Sequence, residues 1–309
     1  MKDKNHGASV LITGGSGLIG RNLTSLLLSG GYKVSHLSRK ENKFGKVRVY
    51  RWNPEKRIID PEIFNGVDYL VHLAGTNIGE KRWTEKRKAE IKASRIDTSR
   101  LLFSTVKDYR INLRAFISAS GTGYYGSLTD ERIFTENDPP SNDFLGSLCR
   151  DWEAAADLFS DAGIRTVKIR TSVVLARESM ALKRLLAPVK SGFLLKTGSG
   201  KQYMPWIHIS DLCNIYQMAI EDDSMRGAFN AASPSHTSHG SFMKVLAEIM
   251  KRPVLRPGIP PWVLKLFLGE MAGVVTEGSR VSAEKIIDSG FVFGFGHLKD
   301  ALYDILQDY

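Results

Sequence analysis

Along the first half of the chain, short apolar runs of strand length alternate with longer stretches whose apolar residues recur at helical spacing. Residues 8–13 (ASVLIT) read as a buried strand, followed by a glycine cluster and then by Leu23, Leu26, Leu27 and Leu28 on a helix. Residues 33–37 and 46–50 supply two further strands. Residues 67–73 (VDYLVHL) form a near-continuous apolar run, which suits a strand covered on both faces. Residues 114–118 and 165–169 repeat the pattern, each after a helical stretch. Successive strand–helix–strand units predict an α/β fold, a doubly wound parallel sheet of the Rossmann type. In such a sheet a ligand lies at the carboxyl ends of the strands.

Beyond about residue 176 the alternation weakens and the pattern becomes mostly helical. Residues 211–220 read as a helix with Ser210 as its N-cap. Pro253, Pro257, Pro260 and Pro261 lead into an apolar helix at 262–268, and a last helix is expected over 298–306. The chain therefore divides into a Rossmann domain, 1–175, and a smaller, mostly helical lobe, 176–309.

At 42% hydrophobic and 25% charged, the composition is that of an ordinary globular protein. No apolar stretch approaches a bilayer span, and residues 1–9 carry no signal-peptide pattern. The two cysteines, Cys149 and Cys213, have no metal-ligand spacing and read as core thiols, so no metal is expected and a cytoplasmic setting fits. The net charge of +10 raises the question of nucleic acid. In the most basic stretch, however, Lys81 to Arg100, Glu80, Glu85, Glu90 and Asp97 interleave with the cations, which is the pattern of a solvated, internally paired helix. Neither nucleic acid nor a membrane is expected as a partner.

The sharpest chemical signal is Thr13-Gly14-Gly15-Ser16-Gly17-Leu18-Ile19-Gly20, directly after the first strand and opening a helix. Glycines here allow a tight turn and let the backbone approach a pyrophosphate, which the helix N-terminus then attracts. The second strand ends His36-Leu37-Ser38-Arg39-Lys40, without the acidic residue that would accept from an NAD ribose hydroxyl. A guanidinium at Arg39, with the Ser38 hydroxyl, suits a 2′-phosphate instead, so the expected cofactor is NADP.

These segments resemble the extended, epimerase-like branch of the short-chain dehydrogenase/reductase superfamily. The resemblance also takes in Val71-His72-Leu73-Ala74-Gly75, Arg82-Trp83-Thr84, Ser118-Ala119-Ser120 with Tyr124-Tyr125-Gly126, Asp151-Trp152-Glu153-Ala154-Ala155 and Pro205-Trp206-Ile207-His208-Ile209. Together they resemble an NADP-binding "epimerase family" group with its own C-terminal domain, here at about 253–300. The resemblance implies that Ser38 and Arg39 hold the 2′-phosphate end, and that Leu73, Ala74 and Gly75 pass beneath the nucleotide. It further implies that Glu90 and Arg95 border the cofactor, and that Val174 walls the nicotinamide side.

Hydride transfer in that superfamily normally uses a Tyr-x-x-x-Lys pair with a serine or threonine. No tyrosine of this chain has lysine four residues on, and the comparison puts Phe144 and Leu148 at the two positions. Both fall on an apolar helical stripe with Trp152, Ala155 and Phe159, capped by Asn142 or Asp143. Ser120 best matches the usual serine, with Thr122 as the alternative, and Tyr124 or Tyr125 is the substitute acid, Tyr125 being preferred. His72 reads as a core histidine, and His208 as a candidate for the substrate side. Two functions follow: an NADP-dependent oxidoreductase or nucleotide-sugar epimerase-like enzyme acting on a small molecule, or a non-catalytic NADP(H)-binding module that senses redox state.

Overall fold

The computed structural model describes residues 7–40, 45, 47–126, 129, 131–190, 199–252, 262, 266 and 269–307. Its main feature is a seven-stranded sheet. The strands are β1 (Ser9–Thr13), β2 (Lys33–Ser38), β3 (Arg48–Arg51), β4 (Tyr69–His72), β5 (Ala115–Gly121), β7 (Arg165–Thr171) and β10 (Gly227–Ala231). Their spatial order is β10-β7-β5-β4-β1-β2-β3, and every pair is parallel. The direction of winding reverses between β1 and β4, so the crevice for a ligand opens at their carboxyl ends. The doubly wound sheet read from the apolar pattern is therefore present. It draws its seventh strand from beyond residue 175, so it spans the boundary expected between the two domains.

Both faces of the sheet are covered, which is why its strands carry continuous apolar runs. In β1, Val10 and Ile12 pack with Leu23 and Leu27 of α1 (Leu18–Ser29) and with Leu212, Ile215 and Tyr216 of α5 (Ile209–Glu221). Leu11, between them, points the other way. It joins Leu101, Leu102 and Val106 of α2 (Glu85–Asp108) and Ala156 and Phe159 of α3 (Phe144–Asp161). The result is a three-layer sandwich, each buried large side chain contributing roughly 1.5–3 kcal/mol.

The helix at the end of β9 (Trp206–His208) starts two residues earlier than its sequence suggests. Ser210 is inside α5, and His208 is the N-cap, its Nδ1 accepting the Ser210 N–H at 3.2 Å. An imidazole acceptor does here what the sequence assigned to a hydroxyl.

A second apolar core holds the smaller lobe. It gathers Leu182 and Leu186 of α4 (Met180–Lys190), Phe242 and Leu246 of α6 (His239–Ile249), and Leu302 and Ile305 of the helix Leu298–Leu306. That last helix matches its expected bounds, whereas most of the expected helix at 262–268 lies outside the described residues. Two short parallel sheets stitch the lobe on: β8 (Val173–Leu175) with β9, and β6 (Ile133–Phe134) with β11 (Arg280–Val281). The Asp211 carboxylate adds a clamp, accepting the backbone N–H groups of Gly294 at 2.8 Å and Phe295 at 3.0 Å.

Candidate functional site

The glycine loop folds back onto the end of β4. Gly14 has φ +72°, and a Cβ there would come within 2.9 Å of the Ala74 nitrogen and the Leu73 carbonyl carbon. Gly15 lies flat against the His36 imidazole, so a Cβ would collide with the ring. Gly17 is the N-cap of α1 and donates its N–H to Gly14 O at 2.9 Å. Leu18, Ile19 and Gly20 form the first turn of α1, whose freed N–H groups face the crevice end of the sheet.

Two buried histidines brace this loop. His72 is fully buried between two threonines: Nδ1 lies 2.7 Å from Thr13 Oγ1, and Nε2 3.2 Å from Thr98 Oγ1. Thr98 spends its proton on the carbonyls of Ser94 and Arg95, so the imidazole donates from Nε2 and accepts at Nδ1. Thr13 Oγ1 in turn accepts the Ala74 N–H at 3.2 Å. A single hydrogen-bonded line thus runs from the Leu73–Gly75 rim through β1 and β4 into α2. Burial lowers the His72 pKa to about 4, so the ring is neutral. His36 is held likewise, Nε2 against Thr24 Oγ1 at 2.8 Å, and burial lowers its pKa too.

At the neighbouring end of β2, Ser38 Oγ accepts the Lys40 N–H at 3.3 Å, and Arg39 and Lys40 are exposed. No carboxylate stands in the strand-end position that NAD sites use. On the other side of the crevice, Arg95 is buried under the rim. It donates to Thr76 O at 3.0 Å and to Ile91 O and Ser94 Oγ at 3.2 Å each, over the Trp152 ring at 5.1 Å. A Cβ on Gly75 would fall 2.9 Å from the guanidinium carbon. Burial lowers the Arg95 pKa to about 10, which leaves it charged at neutral pH. Glu90, on the same helix, is 3.2 Å from Arg87. Val174 lies in β8 opposite Ile207, partly buried against the main core.

The expected reaction centre holds hydrocarbon and a closed polar network. Asp143 caps α3, accepting the Gly146 N–H at 2.7 Å, and places Phe144 edge-on to Trp83 at 4.9 Å. Leu148 is fully buried one turn on. Ser120 Oγ donates to Glu153 Oε1 at 2.7 Å. Arg170 grips the same carboxylate through Nε at 2.8 Å and Nη2 at 2.9 Å. Its Nη1 donates to the Tyr125 hydroxyl at 2.8 Å, and that hydroxyl donates to Asn230 Oδ1 at 2.7 Å. Burial drives the Tyr125 pKa far above its ordinary value. Tyr124 instead stacks on the Arg170 guanidinium, 3.5 Å from ring centre to Cζ.

The cysteines are buried, with pKa values pushed up to about 12 by burial. His208 does not line an open cleft. It is buried against Phe295, with Nε2 3.2 Å from Asp304. Arg170 and Asn230 were not singled out from the sequence, and Glu153 entered only as part of a motif with no role assigned to it. The signal available was Arg170 itself, a cation inside a buried strand run (RTVKIRT), which demands a buried partner.

A parallel sheet wound in both directions from β1 and β4, with a glycine loop at the switch point, defines a dinucleotide-binding protein of the Rossmann class. The sequence profile of the NAD dependent epimerase/dehydratase family matches residues 10–232, and the chain belongs to that family. A second profile, a domain of unknown function (DUF1731), matches residues 259–305. The chain is 34% identical to the mouse epimerase family protein SDR39U1 over 302 residues, 96% of this chain and 99% of that one. The crystal structure of human SDR39U1 (isoform 2) with NADPH superposes with a TM-score of 0.87 at 30% identity, covering 97% of this chain and all of the other. A nucleoside-diphosphate sugar epimerase from Corynebacterium glutamicum superposes at 0.78 with 31% identity, over 97% of this chain and 58% of its own. Among the described residues no helix is long and apolar enough to cross a membrane.

Proposed function

We propose that the chain binds NADPH across the carboxyl ends of β1, β2 and β4, and that it is an oxidoreductase whose proton donor does not come from α3. The observation that carries the reading is the Gly14 loop, pressed onto Leu73 and Ala74 so closely that a Cβ has no room, beside a β2 end that bears Arg39 in place of a carboxylate. In this reading Gly14, Gly17, Leu18, Ile19 and Gly20 hold the diphosphate, Ser38 and Arg39 the 2′-phosphate, and Leu73, Ala74 and Gly75 the floor. Arg95 supports that floor from below with its charge intact, Glu90 accepts from a cofactor hydroxyl while held by Arg87, and Val174 flanks the nicotinamide. The bound cofactor supplies a hydride, and the lobe from residue 176 onward encloses a small-molecule substrate. Ser120 and Tyr125, the residues closest to the superfamily's reacting pair, serve to position the end of β5 through Glu153 and Arg170.

Support for the cofactor comes from the relative crystallised with NADPH. Calorimetric titration tests it: micromolar or tighter binding of NADPH with weaker NADH is expected, and no binding of either would end the reading. A second reading, a non-catalytic module sensing nicotinamide redox state, is favoured by Phe144 and Leu148 standing where a proton donor and a cation would be. NADPH oxidation over a panel of nucleotide sugars and small carbonyls separates the two. Turnover supports the enzyme, whereas uniform silence with unequal NADP and NADPH affinities supports the sensor.

A further inference from the structure

The edge strand β3 carries a cation that no motif singles out. Arg51 is its last residue, and the parallel ladder sets Arg51 opposite Ser38, the residue ending β2. The Trp52 N–H donates to Ser38 O at 3.0 Å, which fixes that register at the strand ends. Partners in a parallel ladder project to the same face, and residues two apart along a strand share a face. His36 points to the face that carries the glycine loop, because Gly15 rests on its ring. Ser38, two residues on, shares that face, and so does Arg51.

The opposite face of the same two strands is spent on packing. Leu37 is buried there, with Tyr50 and Trp52 against Phe64 and Leu70. Arg51 is thus excluded from the core and is exposed, as is Arg39 on the other side of Ser38. Among the described residues neither guanidinium has a hydrogen bond or a carboxylate within salt-bridge distance. Neighbouring strands lie about 4.8 Å apart, well within the reach of an arginine side chain. Two exposed guanidinium groups flanking one hydroxyl, with no countercharge among the described residues, suit a dianion.

We propose that Arg51 is a second cation for the 2′-phosphate of NADPH and a determinant of preference for it over NADH. The inference rests on the NADPH reading above and extends it to a strand outside the loop–β2 signature. Arg39 approaches the phosphate from the end of its own strand, Arg51 from the neighbouring strand, and Ser38 lies between them. The phosphate carries close to two negative charges at neutral pH, which one guanidinium does not neutralise.

The test uses the full chain with Arg51→Ala and Arg51→Gln, titrated calorimetrically with NADPH, NADH, 2′,5′-ADP and 5′-ADP. Both variants are expected to melt with the wild type, since the side chain is exposed. A loss of about tenfold in affinity for NADPH and 2′,5′-ADP is expected, with NADH and 5′-ADP changed less than about twofold. The NADPH affinity should also fall less steeply with salt in the variants. Unchanged NADPH binding, or equal losses for all four ligands, overturns the inference while leaving the wild-type preference for NADPH standing. Wild-type protein that binds neither dinucleotide overturns both.

Discussion

Glu153 and Arg170 meet below the end of β5 as a two-bond ion pair, at 2.8 and 2.9 Å, with side chains only 7% and 4% exposed. Ser120 and Tyr125 complete the coordination of this pair, so two hydroxyls that resemble a reaction centre are hydrogen-bonded to it. Removing one partner of a buried pair leaves the other charge without compensation. Glu153→Ala should therefore lower unfolding free energy by about 3–5 kcal/mol, read in urea melts. Tyr125→Phe should cost about 1–2 kcal/mol and leave NADPH affinity unchanged. A large loss of cofactor binding with intact stability would instead put Tyr125 in contact with the ligand.

Gly14 offers a sharper test of the phosphate loop. Its φ of +72° and its contact with Leu73 and Ala74 both forbid a side chain. Gly163 has φ +85° with nothing within 4 Å of an added Cβ, so it isolates the backbone term. Gly163→Ala should cost about 1 kcal/mol. Gly14→Ala should cost more and should abolish cofactor binding at concentrations that saturate the wild type. Equal effects in thermal melts and titrations would mean that the loop can retreat from β4.

Arg39→Ala separates the two nicotinamide cofactors. Loss of a charge-assisted bond to the 2′-phosphate should weaken NADPH by about 1.5–3 kcal/mol and leave NADH nearly unchanged. Parallel calorimetric titrations decide it, because equal weakening of both cofactors would move Arg39 away from the 2′-position.

The buried His72 predicts a dependence of stability on pH. Its folded pKa, about 4, lies below the ordinary value of 6.5, because burial disfavours the charged ring. Between those values the unfolded chain binds a proton that the folded chain refuses. Stability from this group is therefore complete above about pH 7 and is lost as pH falls from 6.5 towards 4, by up to roughly 3 kcal/mol. Urea melts of the wild type and His72→Gln across that range should converge at low pH. A constant difference would show that His72 does not titrate in this way.

The nucleotide half of the candidate site could be proposed from the sequence because its motifs are local. Glycines at 14, 17 and 20 between a strand and a helix, and Ser38-Arg39 at the next strand end, lie within a few residues of one another. The reaction-centre half was not legible in this way. Ser120, Glu153, Arg170 and Asn230 come from four separate elements, and only their packing shows that the hydroxyls are already bonded.

By itself the amino-acid sequence determined the parallel α/β sandwich, since continuous apolar strand runs and helical apolar patterns are properties of each segment and its immediate neighbours. It also determined that no tyrosine has lysine four residues on. Tertiary structure alone decided that Arg95 is buried while Glu90 faces Arg87, and that His208 caps a helix. It alone placed Arg51 beside Ser38. Strand register and burial arise from contacts between residues distant in the chain, and no local pattern encodes which of many compatible partners will meet.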